Sequence, residues 1–536
     1  MHTTDRGGGA TVADLGVSPS TTLSSLGIAL LGGAIAAFVV FNGWHGGDLP
    51  AQVYRQTMFR SFGFIVWDGW WYAGHYWLTY SVLAPALTAV VGLPLAALGA
   101  ATISAWAFDR LLVERASVRG TTAVRWASVL FAVNTAAPII IGQVTFLLGE
   151  AVGLLALLAA MRRHPLLTVV LALACSLFSP VAGVFLVLAL VAWMLSDDTD
   201  RVWRGAAVAA AVAPMVVSSI LFREFGQDPF PVEQLAVVLA CCAVGLLLFP
   251  ARERALRWGC VLYAAGSLAT FVVPNPLGGN LTRLAACVAA PLALATVRAD
   301  RRKVAGVAVG LLVIWQWAPA VGALVGAQGD PSRNAAYFTP LTNTFARQPG
   351  PTRVEIPFTN QHWEAAYVAP HVSLARGWER QLDQADNALF YSHRPLTAAA
   401  YKTWLDANGI SWVALPDVPL DFSSVKEAAL IRSGLPYLHL VWSNRHWRLW
   451  RVVGSPGLVT GPARLTMPGP DRLVLAISRP GTVTVRVRYT DVWHVTEGYA
   501  CVRPDAAGWT TVHVDQPGRV ELAARPGATS HDCQRS

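Results

Sequence analysis

Between Phe41 and Ser81 the chain reads FNGWHGGDLPAQVYRQTMFRSFGFIVWDGWWYAGHYWLTYS. It gathers Asp48, Asp68, Arg55, Arg60, His45 and His75 among Trp44, Trp67, Trp70, Trp71, Tyr72, Tyr76 and Trp77. A carboxylate can take the proton of an attacking hydroxyl, and arginines can hold an anionic leaving group. Aromatic rings at this density suit a membrane–water boundary, where an apolar face and a polar edge are both satisfied. A site built here would act on a substrate carried by lipid.

Two further groups of residues have chemical potential. Glu150, in GQVTFLLGEA, is a carboxylate about two turns inside an apolar run, where an ionisable group is costly and usually lines a cavity or meets a cation. Arg283, in PNPLGGNLTR, falls at a helix end where lipid phosphates lie. Further on, NQHWEAAYVAP and LARGWERQLD bring His362, Trp363, Glu364, Arg376, Trp378, Glu379 and Arg380 together, a mixture of rings and charges that suits sugar binding or docking onto a membrane part.

The elements that must position these residues are hydrophobic. With 536 residues, 54% hydrophobic and 14% charged, and a mean hydropathy of +0.44, the chain is a polytopic α-helical membrane protein. Apolar runs at 23–41, 80–108, 126–141, 144–161, 166–177, 181–194, 205–221, 235–249, 258–273, 281–297 and 304–325 predict about eleven spans. The run at 80–108 is too long for one straight span and too short for two. Gly92 and Pro94 lie in its middle, so it is expected to hold one span and one interfacial or re-entrant piece.

Every second connection is basic: Arg110, Arg115, Arg119 and Arg125; Arg162 and Arg163; Arg201 and Arg204; Arg252, Arg254 and Arg257; Arg298, Arg301, Arg302 and Lys303. Lys and Arg accumulate on the cytoplasmic side, which puts the N-terminus in the cytoplasm and both the Phe41–Ser81 stretch and everything after Ala327 outside. The net charge of +9 is thereby used for orientation, and nothing resembles a nucleic-acid groove.

Residues 1–22 are expected to be a disordered cytoplasmic tail and 23–326 a transmembrane domain whose first external loop is 42–79. An external α/β domain is expected at 327–455. From 456 to 536 the strands RLVLAI, TVTVRVRY, WTTVHV and RVELAA, separated by Pro/Gly turns, predict a β-sandwich-like domain. Cys175, Cys241, Cys242, Cys260 and Cys287 lie in apolar runs as small hydrophobes, while Cys501 and Cys533 are an external pair open to disulfide formation.

No phosphate loop, dinucleotide fingerprint, HExxH, CxxC pair or nucleophile elbow is present. What remains is the aromatic loop with an acidic residue soon after the first helix, the row of spans and the external C-terminal region. Together with WYAGHY…YSVLAP and YTDVWHV, this architecture resembles the GT-C superfamily of integral membrane glycosyltransferases. The resemblance implies a sugar arriving on a polyprenyl phosphate and an envelope glycan or lipid as acceptor. It also implies a catalytic carboxylate at Asp48, with Asp68 second. The acidic pair that would hold a divalent cation is absent from this loop, so the cofactor is left open and no metal ligand is assigned.

On this reading Asp48, Asp68 and Glu150 are the catalytic candidates, and Arg55, Arg60, His75, Arg283, His362, Trp363, Glu364 and Arg376 the substrate-binding ones. Each has a plainer alternative. Asp48 sits where it would cap a helix starting at Leu49; Asp68 belongs to an aromatic cluster; the arginines can snorkel to headgroups; His45 and His75 can serve as hydrogen-bonding residues. The rival function is a transporter or flippase of a lipid-linked or envelope substrate, against which stands the lack of visible repeated halves. A scaffold anchored by so many spans ranks last.

Overall fold

The structure, a computed structural model, describes residues 19–115, 121–224, 226–296 and 301–525. Most of the expected tail, and Cys533 with the pairing expected for Cys501, lie outside the described residues. The apolar runs form α1 (Pro19–Phe41), α4 (Leu93–Arg115), α5 (Thr121–Asn134) with α6 (Ala136–Ile141), and α7 (Val144–Met161). They continue as α8 (Pro165–Phe178), α9 (Pro180–Ser196), α10 (Arg201–Leu221), α11 (Val232–Leu248), α12 (Arg254–Val272), α13 (Thr282–Thr296) and α14 (Arg302–Ala327). Proline at the first position of α8 and α9 starts those helices where its missing N–H costs nothing.

Among the described residues seven helices are long and apolar enough to cross a membrane, and four apolar ones are shorter. The shorter ones include α8 and α9, which Ser179 and Pro180 separate. The run expected at 80–108 divides at Gly92, whose φ of +84° favours glycine, into a short α3 (Ala84–Val91) and α4, which extends to Arg115. The arginine-bearing turns gather at one end of the bundle, where Arg162 pairs with Glu114, Arg115 with Glu253, and Arg163 with Asp200.

At the other end the stretch after α1 is an ordered layer. It contains α2 (Leu49–Phe62) and a hairpin of β1 (Trp67–Asp68) and β2 (His75–Tyr76). Gly142, at φ +97°, lets the α6–α7 turn close on Leu49; a Cβ there would lie 2.4 Å from the Leu49 nitrogen. Gln52 completes the junction: its carbonyl oxygen accepts from the Thr145 N–H (2.9 Å) and hydroxyl (3.0 Å), satisfying the N-terminus of α7.

Beyond α15 (Ala335–Phe345), a five-stranded sheet runs in the order β4 (Ser373–Leu374), β3 (Arg353–Glu355), β5 (Trp412–Pro416), β7 (Trp447–Val452), β6 (Leu438–Ser443). Its first three strands are parallel and the rest antiparallel. Around it lie α16 (Glu364–Tyr367), α17 (Arg380–Asp386), α18 (Ala398–Ala407) and α19 (Val425–Arg432). Within TRVEIPFT, from Thr352 to Thr359, only β3 is strand.

Two four-stranded antiparallel sheets follow. One holds β12 (Trp493–Glu497), β15 (Gly518–Ala524), β10 (Arg472–Ile477) and β9 (Ala463–Gly469). The other holds β13 (Cys501–Pro504), β14 (Trp509–Val514), β11 (Gly481–Arg488) and β8 (Val459–Thr460). Alternate residues such as Val483, Val485 and Val487 face Leu473, Leu475 and Leu522 in one core, which period-2 patterning requires. Trp67 of β1 enters that core.

Candidate functional site

The loop layer is joined to the C-terminal sheets at many points. Trp70 O accepts from the Leu374 N–H (2.8 Å), the Tyr72 hydroxyl lies 2.7 Å from the Glu379 nitrogen, and Ala73 O accepts from the Arg488 N–H (2.7 Å). Gly377 is required beside Trp71, since a Cβ there would stand 2.5 Å from the indole. The first loop and the C-terminal region therefore share one end of the bundle, opposite the arginine-rich turns.

At this junction Asp48 precedes α2 but does not cap it: its φ/ψ are −83°/−16° and its side chain makes no capping bond. Instead Oδ2 accepts from Gln143 Nε2 at 3.0 Å. Gln143 lines a cavity of about 350 Å³ together with Asp228, Gln234, Asn280 and Arg283. Asp228 accepts from Asn280 Nδ2 at 3.0 Å. Burial pushes the Asp228 carboxyl up to about 6, against the pull of Arg283 and then Arg380, with Asp48 adding to the rise. Tyr80 also feels Arg283 and Asp48, although burial is what raises its hydroxyl.

Arg283 lies 5.4 Å over the Phe146 ring and has no ion pair among the described residues. Phe146 and Cys287 line both this cavity and a larger, mainly apolar one of about 620 Å³ inside the bundle. Glu150 lines the apolar cavity, its carboxyl in hydrogen-bonding contact with the Cys287 thiol. The arrangement is a polar chamber lined by the Asp228 carboxylate and the Arg283 guanidinium, with Asp48 held against its wall by Gln143, and it shares Phe146 and Cys287 with the apolar cavity.

The other candidates are placed differently. Asp68 is fully buried and accepts from the Tyr54 hydroxyl (2.8 Å) and the Trp70 N–H (2.9 Å); burial raises its carboxyl to about 6. His75 stacks on Trp71 at 5.9 Å, and burial followed by Arg55 lowers it to about 3, so it is neutral. Arg55 pairs with Glu379, donates to Trp77 O at 2.8 Å and lies 4.5 Å from the Trp77 ring centroid. Arg60 is exposed at the end of α2, donating to Ala89 O at 3.0 Å. His45, lowered to about 4 by burial and Arg333, meets Trp363 edge-on.

In the C-terminal region Arg376 is enclosed. It binds Asp383 (2.6 Å), lies near Glu427 (3.6 Å) and Glu355 (3.9 Å), and sits between the Phe358 and Phe390 rings. Glu364 is spent on the Thr359 hydroxyl (2.6 Å) and N–H (3.2 Å), and burial pushes it up to about 8. Trp363 is buried and stacks on Tyr367 at 5.0 Å. Of the expected sugar-binding set, His362 comes nearest the chamber. At φ +56° it stacks on Trp378 at 3.3 Å and backs onto Gly47, while Arg380 lies over the Trp378 ring at 4.6 Å and pairs with Asp421 (2.7 Å). Burial lowers the His362 imidazole although Asp421 stands 3.5 Å away.

Asp48, through Gln143, and Arg283 thus meet at one cavity, whose other polar residues Gln143, Asp228 and Asn280 the sequence analysis did not single out. Gln143, Asp228 and Asn280 fall in connections between the basic ones, which was their only signal in the sequence. Fold and site define a polytopic helical membrane protein whose polar chamber lies where its extramembrane region docks.

No protein-family model matches the chain, and no curated protein matches its sequence. Solved structures do match. One is ArnT from Cupriavidus metallidurans bound to undecaprenyl phosphate, 12% identical, with 82% of this chain and 99% of that chain covered and a TM-score of 0.39.

Proposed function

We propose that the chain is a membrane glycosyltransferase of the GT-C type, moving a sugar from a polyprenyl-phosphate donor to an envelope glycan or lipid acceptor on the outer face of the cell membrane. The observation that carries this is Asp48: a carboxylate at a helix start, unused by the helix, held by Gln143 at the wall of a chamber containing Arg283. The arginine-rich end of the bundle faces the cytoplasm and the chamber faces out.

In the reaction, Asp48 takes the proton of the acceptor hydroxyl as its oxygen bonds to the anomeric carbon. The bond from that carbon to the donor phosphate oxygen breaks, and Arg283 and Asn280 stabilise the charge left on the lipid phosphate. Purified protein in lipid should transfer label from one of a panel of polyprenyl-phosphate sugars to an envelope lipid extract. Arg283→Gln should raise the donor KM by about tenfold to a hundredfold, the worth of a charge-assisted hydrogen bond. Absence of transfer by folded wild type across a broad panel would overturn the proposal in favour of transport.

A further inference from the structure

The apolar cavity has a second end that the transfer chemistry does not use. Along α7 it is lined from Phe146 to Met161, about 22 Å of helix against a hydrocarbon core of about 30 Å. Its inner end is floored by Phe146, Glu150 and Cys287, and its far end is bordered by Ser196, Arg252 and Arg254 at the arginine-rich turns. Between these ends the wall is aliphatic and aromatic apart from the thiols of Cys241, Cys242 and Cys260; the Tyr263 hydroxyl is turned away to Leu281 O at 2.5 Å. At about 620 Å³ it accepts at least one acyl chain.

The arginines around the far end are not equivalent. Arg257 donates to the last carbonyls of α11, Leu246 O (2.6 Å) and Phe249 O (3.2 Å), and Arg301 to Leu247 O (2.9 Å). Arg115 is paired with Glu253 at 2.8 Å. Arg254 is exposed and has no ion pair among the described residues, and Arg252, 66% exposed, approaches Glu253 only to 3.9 Å. An apolar slot with two available guanidiniums at its mouth is complementary to a lipid bearing an anionic headgroup.

We propose that this cavity binds an acyl chain of an anionic phospholipid from the leaflet at the basic end, its phosphate resting on Arg252 and Arg254. The slot meets the Asp48 chamber at Phe146 and Cys287, its headgroup end lies away from it, and the proposal stands or falls independently of sugar transfer. Binding to the full chain in detergent would be measured by native mass spectrometry with phosphatidylglycerol and phosphatidylcholine of identical acyl chains. Two arginines near a headgroup should favour phosphatidylglycerol roughly 30-fold. The exposed pair Arg252→Gln/Arg254→Gln should remove that preference, and Ala189→Trp, placed on the α9 wall, should weaken both lipids.

Equal binding of the two lipids by wild type, or a preference untouched by the double substitution, would overturn the headgroup assignment. Binding unaffected by Ala189→Trp would place the lipid outside the cavity. Displacement of phosphatidylglycerol by undecaprenyl phosphate, with the displacement insensitive to Arg252 and Arg254, would assign the slot to a prenyl chain instead.

Discussion

Replacing Asp48 by Asn isolates the charge from the geometry. The amide keeps an oxygen for Gln143 Nε2 at 3.0 Å, and because the Asp48 side chain makes no capping bond to α2, helix stability does not depend on its ionisation. The thermal midpoint of Asp48→Asn should therefore match wild type, a surface-type change of less than about 0.5 kcal/mol. Removing a general base should slow transfer by about 10²–10⁴-fold, an increase of about 2.7–5.4 kcal/mol in the barrier. The assay is initial-rate transfer of radiolabel in proteoliposomes, with donor at saturation so that kcat is read. A folded variant retaining more than a tenth of the wild-type rate would refute the assignment and move the base to Asp228, which shares the chamber. A fall in thermal midpoint of several degrees would refute the geometric argument, because it would mean that the carboxylate supports the fold.

The raised carboxyl of Asp228 gives a pH signature: transfer should decline as pH drops through about 6, where the group takes a proton, and Asp228→Asn should lack that limb in a pH–rate profile. Asp68→Ala should leave the Tyr54 hydroxyl buried without its partner and cost about 1–3 kcal/mol in chemical denaturation, while activity per folded molecule persists. Burial raises Glu427 and the neighbouring Glu355 together above the ordinary carboxylate range, despite Arg376 and the hydrogen bond from Tyr401 to Glu427 at 2.7 Å. The folded state therefore holds a proton on this pair that the unfolded chain has released, and stability should fall as pH rises above about 4.5. Glu427→Gln should flatten that decline in thermal unfolding scans.

The apolar helices were legible because burial in lipid demands long hydrophobic runs whatever their neighbours. α7 was expected at 144–161 and lies at Val144–Met161; α14 was expected at 304–325 and lies at Arg302–Ala327. Four strands of the last two sheets, β10, β11, β14 and β15, were legible from alternation because one face of each packs into a shared core, whereas β8, β9, β12 and β13 were not expected. Less visible was the difference between a ring that faces a ligand and one that packs on a buried cation. NQHWEAAYVAP and LARGWERQLD have the composition of a sugar site, yet Arg376 is enclosed between Phe358 and Phe390 and Glu364 holds Thr359. Local composition is the same in both cases; only the positions of distant residues differ.

By itself, the sequence determined the membrane class, the helical runs and the strand-rich end, and it singled out Asp48 and Arg283 as candidates. Each follows from a local property: hydropathy, period, or an acidic or basic group at a helix end. The tertiary structure alone decided that Asp48 binds Gln143 across 95 positions, that Asn280 meets Asp228 across 52, and that Asp68 faces Tyr54. Those pairings depend on how α2, the α6–α7 turn and the connections flanking α11 and α13 converge. Convergence is set by packing between segments far apart in the chain, which no window of sequence contains.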